Sequence, residues 1–450
     1  MKLNPDIFKA YDIRGIYPND LDEEAAKAIG TAFATYLGSR EIAVGYDMRL
    51  SSPSLKAAFV EGVLEQGVDV TEYGMLSTDM MYFAVASANH SGGAQITASH
   101  NPKQYNGMKL VREGAFPLSG EAGINDIRDM VVSGELPGPA RKRGEVTNRS
   151  VLEPYVDHVM SFIDASIVKP FKVVLDAGSG TAALAGPYCF DRLPCKTTKL
   201  CFTIDGTFPT HEANPLLEEN RAFIVAKTQE EGAALGVAYD GDADRCFFVD
   251  DTGEFVPGDF VTALLAEVML GKSPGGTVLY DVRASWAVPR TIAAAGGTAL
   301  INRVGHAFIK HRMREEHAIF AGEVSAHYYF RDFTQADTGV VPFLLMLELI
   351  SKRGEKLSEI LRPFRESFFI TGEINTPVAD VPGKLREIEQ RYAAEGGRVS
   401  HLDGVSVDFD SWHFNVRGSN TEPLLRLNLE ALSPAEMIAR RDELVTLIQS

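Results

Sequence analysis

Cysteine is scarce in this chain: four in 450 residues, at Cys189, Cys195, Cys201 and Cys246. None forms a C-x-x-C pair and no His-rich motif accompanies them, so the spacing argues against zinc and for buried, reduced thiols. Positive charge is short as well. Lys and Arg total 44 against 61 Asp and Glu, a formal net charge of −17. Nucleic acid and anionic membrane both want a basic footprint, so neither is an expected partner, and any bound phosphate must meet local positive charge. No run approaches 18 uninterrupted apolar residues, so no spanning helix is expected. The opening Met1-Lys2-Leu3-Asn4-Pro5-Asp6 lacks the basic-then-apolar order of a signal peptide, which points to the cytoplasm.

What is present describes a soluble globular protein, with 45% hydrophobic and 23% charged residues. The length is too great for one core and is enough for three or four domains. Three segments share one pattern of strand, Asp-bearing loop, helix and strand. The first runs from Ile42–Asp47 through a helix near 53–66 to Val68–Val70; Ser52 can cap that helix, Pro53 fits its first turn and Gly67 ends it. The second runs from Val173–Asp176 to Cys201–Thr203, and the third from Thr277–Asp281 through a helix near 287–295 to Thr298–Ile301. This is the signature of α/β units with mixed, largely parallel sheets. Each unit is followed by a further strand (93–96, 235–239, 317–320) that runs into a polar loop. Open α/β sheets place ligands at that carboxyl end. The remainder reads as a smaller α+β domain: a helix at 383–396, strands at 404–409, 411–416 and 424–430, and a closing helix at 434–449. The expected domains are 1–149, 150–252, 253–367 and 368–450.

Four polar loops, about 80 to 140 residues apart, carry the chemistry. In Thr97-Ala98-Ser99-His100-Asn101-Pro102, a serine follows a strand among small and polar neighbours. No G-x-S-x-G elbow surrounds it, and a serine hydroxyl is a weak nucleophile unless activated or already phosphorylated. A phosphoserine would carry about −1.5 to −2 charge and need cations nearby. Alone, this loop reads as a turn. In Asp240-Gly241-Asp242-Ala243-Asp244-Arg245, alternating aspartates can turn three carboxylates onto one centre, a hard oxygen set suited to Mg²⁺. An EF-hand fails in detail, because the sixth position is Arg245 and the twelfth Asp251. Three acids packed between apolar strands would repel one another unless a metal neutralised them, and Arg245 beside them could hold a phosphoryl oxygen. In Gly322-Glu323-Val324-Ser325-Ala326-His327, the alternation puts Glu323, Ser325 and His327 on one face if the chain is extended, a pattern that can read sugar hydroxyls and move a proton. Taken alone it is a capped turn with a structural His. In Arg417-Gly418-Ser419-Asn420-Thr421-Glu422-Pro423, a guanidinium, two hydroxyls and an amide are the donors a phosphate monoester wants. Lys109, Arg14, Arg283 and His306 are further basic residues expected in loops near these motifs.

Together the loops resemble the α-D-phosphohexomutase family, most closely its bacterial phosphomannomutase/phosphoglucomutase members. The resemblance covers essentially the whole chain and includes Phe8-Lys9-Ala10-Tyr11-Asp12-Ile13-Arg14-Gly15, Tyr105-Asn106-Gly107-Met108-Lys109 and Val304-Gly305-His306. It implies four domains around a central cleft. It implies that Ser99 is a phosphoserine which joins Asp240, Asp242 and Asp244 in holding Mg²⁺, and that Lys109 and His327 are acid/base candidates. Arg14, Arg245 and His306 are implied as supporting groups. Tyr11, Arg283, Glu323 and Ser325 fall among substrate-binding residues, and Arg417, Ser419, Asn420 and Thr421 hold the phosphate that is not reacting. The implied reaction interconverts hexose 1-phosphate and 6-phosphate of mannose or glucose through a hexose 1,6-bisphosphate, in a monomer whose fourth domain swings on the segment near 365–370. Val324 stands where these mutases usually carry Met, and Gly418 where Ser, Ala or Pro is commoner. Both blur the choice between mannose and glucose. Phosphoglucosamine mutases usually carry Gln in place of Val324, which makes that substrate the weaker alternative. A phosphatase would gain nothing from a second phosphate cradle, and a non-catalytic phosphosugar-binding protein would not need Ser99, Lys109 and three aspartates together.

Overall fold

The computed structural model describes residues 4–419 and 424–450. Asn420 and Thr421 lie outside the described residues. By close contacts the chain divides into two compact units. The first holds everything up to Val256 together with Lys310–His317 and Ser325–Lys356; the second holds Pro257–Ile309, Ala318–Val324 and Leu357–Ser450.

The first unit contains two of the α/β repeats. In its larger sheet, Glu41–Tyr46 pairs in parallel with Asp69–Met75 and Gly92–Ile96. Tyr105–Arg112 then folds back antiparallel to Gly92–Ile96 and to Ile13–Ile16. Helix Glu23–Leu37 has sound punctuation: Asp22 accepts from the Ala25 amide at 2.8 Å, and Gly38 closes it in the left-handed region at φ 59°. In the second sheet Lys172–Asp176 lies between the parallel strands Lys196–Leu200 and Leu235–Tyr239, and Cys246–Asp250 returns antiparallel beside Leu235–Tyr239. The strands 92–96, 235–239 and 246–250 are buried at every residue and have no solvent-facing side, as expected for sheets covered on both sides.

In the second unit, Thr277–Asp281 pairs in parallel with Thr298–Asn302 and Phe320–Gly322. The carboxyl-terminal sheet is wholly antiparallel, in the order Phe369–Pro377, Leu424–Ala431, Trp412–Gly418, Val405–Asp408, Arg398–Ser400. Helices Val381–Ala394 and Pro434–Gln449 complete this α+β part, whose core centres on Tyr392, Trp412 and Phe414.

Several local expectations need correction. Ser52 does not cap its helix; it is the first residue of Ser52–Glu65, and its hydroxyl donates to Asp47 Oδ1 at 2.6 Å. The strand expected at Cys201–Thr203 ends at Leu200, where Cys201 turns into the left-handed region at φ 52°. The strand expected from His317 starts at Phe320, because His317 has φ 50°. Lys109 and Arg14 lie on strands rather than in loops. Of the thiols, Cys189 and Cys246 are buried but Cys195 and Cys201 are only half-buried. Among the described residues no helix is long and apolar enough to cross a membrane.

Candidate active site

The serine loop leaves strand Gly92–Ile96, and Ser99 itself sits at φ 50°. A non-glycine residue in that region is held there by its surroundings. The holder is Arg49, whose side chain is fully buried. Its guanidinium donates to the carbonyls of Ser99 (2.8 Å), Asn101 (2.6 Å), Pro102 (2.9 Å) and Tyr105 (3.0 Å). Arg14 adds a bond to Asn101 Oδ1 at 2.5 Å. Gly241 of the aspartate loop meets this loop so closely that a Cβ there would lie 2.6 Å from the Ser99 carbonyl oxygen.

This brings Ser99 to the aspartates. Ser99 Oγ donates to Asp240 Oδ2 at 2.9 Å and contacts His100 Nδ1 at 3.2 Å. Arg245 donates from Nε to Asp240 Oδ2 at 2.9 Å and from Nη2 to Ser99 Oγ at 3.4 Å. Lys109 bridges Asp242, at 2.7 Å, and Asp244. The three acids are therefore not left to repel one another, as the spacing alone suggested. Two buried cations already oppose them, and one negative charge remains in excess. Burial drives all three carboxyls upward, and in Asp240 it prevails over Arg245, giving a pKa of about 7. In Asp242 and Asp244 the ammonium of Lys109 outweighs burial and mutual repulsion, and both are held below the usual range. Burial lowers His327, and the charges of Arg245, Lys109 and Lys310 push it further down, so its imidazole stays neutral.

The donor set fits a hard divalent cation. One oxygen from each of Asp240, Asp242 and Asp244 lies within 4.8 Å of the others. Asp242 Oδ1 and Asp244 Oδ1 are buried and, among the described residues, accept no hydrogen bond. Buried carboxylate oxygens without donors are what a metal would use.

The sugar-reading loop is not extended. Residues 323–326 turn, with Ala326 at φ 66°, so Glu323, Ser325 and His327 do not share one strand face. Ser325 Oγ meets His327 Nδ1 at 3.1 Å, and His327 Nε2 lies 3.6 Å from Asp244. In the other unit, Glu323 accepts from the Gly305 amide at 3.0 Å, next to His306, which opens helix His306–Glu315. Arg283 is clamped by Asp281 through Nε (2.9 Å) and Nη2 (2.8 Å). Arg417 leaves strand Trp412–Gly418 and donates to Glu373 at 2.9 Å; Arg426 does the same from the neighbouring strand at 2.9 Å and lies 3.4 Å from Ser419 Oγ. Burial raises the Glu373 carboxyl, but Arg283, Arg417 and Arg426 prevail and hold it below the ordinary range. Tyr11 lies half-buried in the turn before strand Ile13–Ile16.

Sequence reasoning missed Arg49, Thr78, Glu373 and Arg426. Thr78 gives its hydroxyl to Asp242 Oδ2 at 2.5 Å and its amide to the Asp242 carbonyl at 3.0 Å. A signal for Arg49 existed. Asp47 and Asp281 both stand at the carboxyl end of the first strand of a repeat, and each binds the arginine two residues on, Arg49 or Arg283.

Known proteins match this arrangement along its length. Four family models match in order: phosphoglucomutase/phosphomannomutase alpha/beta/alpha domain I over residues 5–136, domain II over 153–253, domain III over 257–367, and the C-terminal domain over 373–447. A phosphomannomutase of Salmonella montevideo is 42% identical over 98% of this chain and 99% of its own. Phosphohexose mutases of Xanthomonas campestris pv. campestris are 41% identical over 97% of each chain. The crystal structure of a phosphoglucomutase/phosphomannomutase family protein from Burkholderia thailandensis superposes with a TM-score of 0.90 at 31% identity, covering 99% of this chain and 98% of that one. The chain, with its four-part α/β architecture, belongs to the phosphoglucomutase/phosphomannomutase family of phosphohexomutases.

Proposed function

We propose that the protein interconverts the 1-phosphate and 6-phosphate of mannose, glucose or both through phospho-Ser99 and a hexose 1,6-bisphosphate. The observation that carries this is Ser99 Oγ, held at a positive φ by Arg49, within hydrogen-bond reach of both Asp240 and Arg245. A sugar hydroxyl attacks the phosphorus of phospho-Ser99. The bond from phosphorus to Ser99 Oγ breaks, a bond to the sugar oxygen forms, and the hydroxyl proton passes to a base. The second phosphate then returns to Ser99 by the reverse exchange. Phosphoryl transfer is mostly positioning and charge stabilisation. Arg245 Nη2 supplies charge at Ser99 Oγ itself, and Lys109 supplies it beside the aspartates. Ser99, Asp240, Asp242 and Asp244 would hold Mg²⁺, which when bound adds positive charge at the phosphoryl oxygens.

His327 and Lys109 are the acid/base pair of this reading, with Arg14 and His306 in supporting positions. Arg417, Ser419, Asn420 and Thr421 hold the idle phosphate, Glu323 and Ser325 read the sugar hydroxyls, and Arg283 and Tyr11 line the substrate site. The same proposal assigns domains at 1–149, 150–252, 253–367 and 368–450, and the family matches at 5–136, 153–253, 257–367 and 373–447 support it. It includes a monomer in the cytoplasm and a swing of the last domain near 365–370, which excludes water from phospho-Ser99. Identical scattering profiles with and without substrate would remove the swing.

Phosphorus NMR of the protein with Mg²⁺, a trace of glucose 1,6-bisphosphate, and mannose 1-phosphate or glucose 1-phosphate tests the reaction. Appearance of the 6-phosphate supports the mutase, and the two rates rank the sugars. Inorganic phosphate as the product would make it a hydrolase, and no change with either sugar would overturn the assignment.

A further inference from the structure

Three α/β repeats place an aspartate at the carboxyl end of their first strand: Asp47 directly follows Glu41–Tyr46, and Asp176 and Asp281 are the last residues of theirs. In two of them an arginine two residues on occupies the carboxylate. In the second repeat that place is taken by Gly178, which offers Asp176 Oδ1 only its amide, at 2.9 Å. Asp176 Oδ2 therefore faces other partners. His211 Nε2 lies 3.0 Å from it, and Cys201 Sγ lies 3.7 Å from the same nitrogen. The Asp176 and His211 side chains are 1% and 6% exposed, while Cys201 is half-buried and opens to solvent.

The protonation of His211 follows from its two partners. Nδ1 lies 2.9 Å from the Glu212 carbonyl oxygen. A carbonyl and a carboxylate can only accept, so Nδ1 donates to the Glu212 carbonyl and Nε2 donates to Asp176. Without metal the ring is an imidazolium paired with Asp176, and a cation bound here takes the place of the Nε2 proton. A backbone carbonyl on the far nitrogen is the usual support of a metal-binding histidine. The three ligand atoms lie within 4.8 Å of one another. Bonds of ~2.3 Å to sulfur and ~2.0 Å to nitrogen and oxygen put tetrahedral ligand pairs ~3.3–3.5 Å apart, close to the spacing found here.

We propose that Asp176, Cys201 and His211 form a second divalent-cation site, of the borderline-soft kind that takes zinc or cobalt, with a fourth position open to solvent. Binding replaces two protons, the thiol proton of Cys201 and the Nε2 proton of His211, which both leave to solvent, by a metal–sulfur and a metal–nitrogen bond. This differs in kind from the aspartate loop, which offers oxygen only. It also revises the expectation from cysteine spacing: no paired motif marks the site, because its ligands come from a strand end and two points of one loop.

The site ties down the loop 201–213. Within that loop a Cβ on Gly206 would lie 2.4 Å from the Met48 carbonyl oxygen. Phe208 lies 5.6 Å under the Arg49 guanidinium and packs with Met48 and Ala213. Arg49 in turn holds four carbonyls of the serine loop. Metal at Cys201 thus reaches Ser99 through Phe208 and Arg49.

The test uses the full chain, stripped with chelator and checked by circular dichroism, with Mg²⁺ present throughout to compete at the aspartate loop. Titration with Co²⁺ should raise a thiolate-to-cobalt charge-transfer band that saturates at one equivalent. The band should be lost in Cys201→Ser and His211→Gln and kept in Cys195→Ser. In the unmutated protein Zn²⁺ should suppress alkylation of Cys201 by iodoacetamide, read by mass spectrometry, while half-buried Cys195 is labelled as before. Absence of the band, its survival in Cys201→Ser, or alkylation of Cys201 unchanged by Zn²⁺ would overturn the site. None of these readouts depends on sugar-phosphate turnover.

Discussion

The two compact units each bury a cluster of charge, and the clusters are opposite in sign. Around Ser99, three carboxylates (Asp240, Asp242, Asp244) meet two cations, Lys109 and Arg245. Around Glu373, three guanidiniums (Arg283, Arg417, Arg426) meet its carboxylate and that of Asp281. Each cluster is neutralised to within one charge, which avoids most of the cost of burying bare ions. The remaining charge sets the ligand, a cation in the first unit and an anion in the second. The means also differ. The acids sit in one tight loop, so their excess is local. Two of the arginines face each other across two strands, Arg417 opposite Arg426 in register. Like charges directly opposite destabilise a sheet pair, and Glu373 between them offsets that.

The most drastic way to break the first cluster is to remove what it serves. Ser99→Ala should lower turnover roughly 10⁴-fold or more, the scale of losing a nucleophile, while sugar-phosphate binding measured by calorimetry persists. Substantial residual turnover would end the phosphoserine role. Removing a countercharge is the next largest change. Lys109→Met leaves Asp242 and Asp244 without their buried partner and should cost about 3–5 kcal/mol of stability. Because the acid excess grows, the variant's melting temperature should rise more steeply with Mg²⁺ than that of the parent chain. Equal Mg²⁺ responses would show that the charge count does not govern cation affinity.

The two clusters were unequally legible in the sequence. Asp240, Asp242, Asp244 and Arg245 are contiguous, so spacing alone suggested a metal cage. Its countercharge was not readable, since Lys109 comes from a strand more than a hundred residues earlier. The repeats were visible as strand, aspartate and helix, and the open-sheet rule put the loops at the correct strand ends. Strand ends at Cys201 and His317 were misplaced because a positive φ in a non-glycine residue leaves no mark in hydropathy. Extended geometry was likewise assumed for 323–327, where Ala326 turns the chain. Glu373 and Arg426 were missed because a charged residue in an antiparallel strand reads as a solvated face until register places it.

The second cluster breaks more gently, because phosphate can still meet its remaining donors. Arg417→Ala removes a charge-assisted bond worth about 1.5–3 kcal/mol, so KM should rise roughly 10- to 100-fold with kcat less affected. An unchanged KM would remove the cradle assignment. Arg426→Ala should do less, since its side chain is 29% exposed against 11% for Arg417. Comparing the two ranks the arginines by burial.

Glu373→Gln is the smallest change and the sharpest question, because Glu373 has two roles that oppose each other. As a countercharge it competes with an incoming phosphate for Arg417 and Arg426; as an acceptor it holds those guanidiniums side by side. Glutamine keeps an oxygen and nearly the same shape, so the positioning role survives in part while the charge goes. The excess then rises from one positive charge to two. At the strength of a partly exposed ion pair, about 0.2–1 kcal/mol, inorganic phosphate should bind roughly 1.4- to fivefold tighter, and the gain should shrink as salt rises. Calorimetry at low and high ionic strength reads both. Weaker binding at either salt would mean that Glu373 acts chiefly by holding the arginines in place, and the likeness to the aspartate loop, where residual charge chooses the ligand, would fail for this half of the molecule.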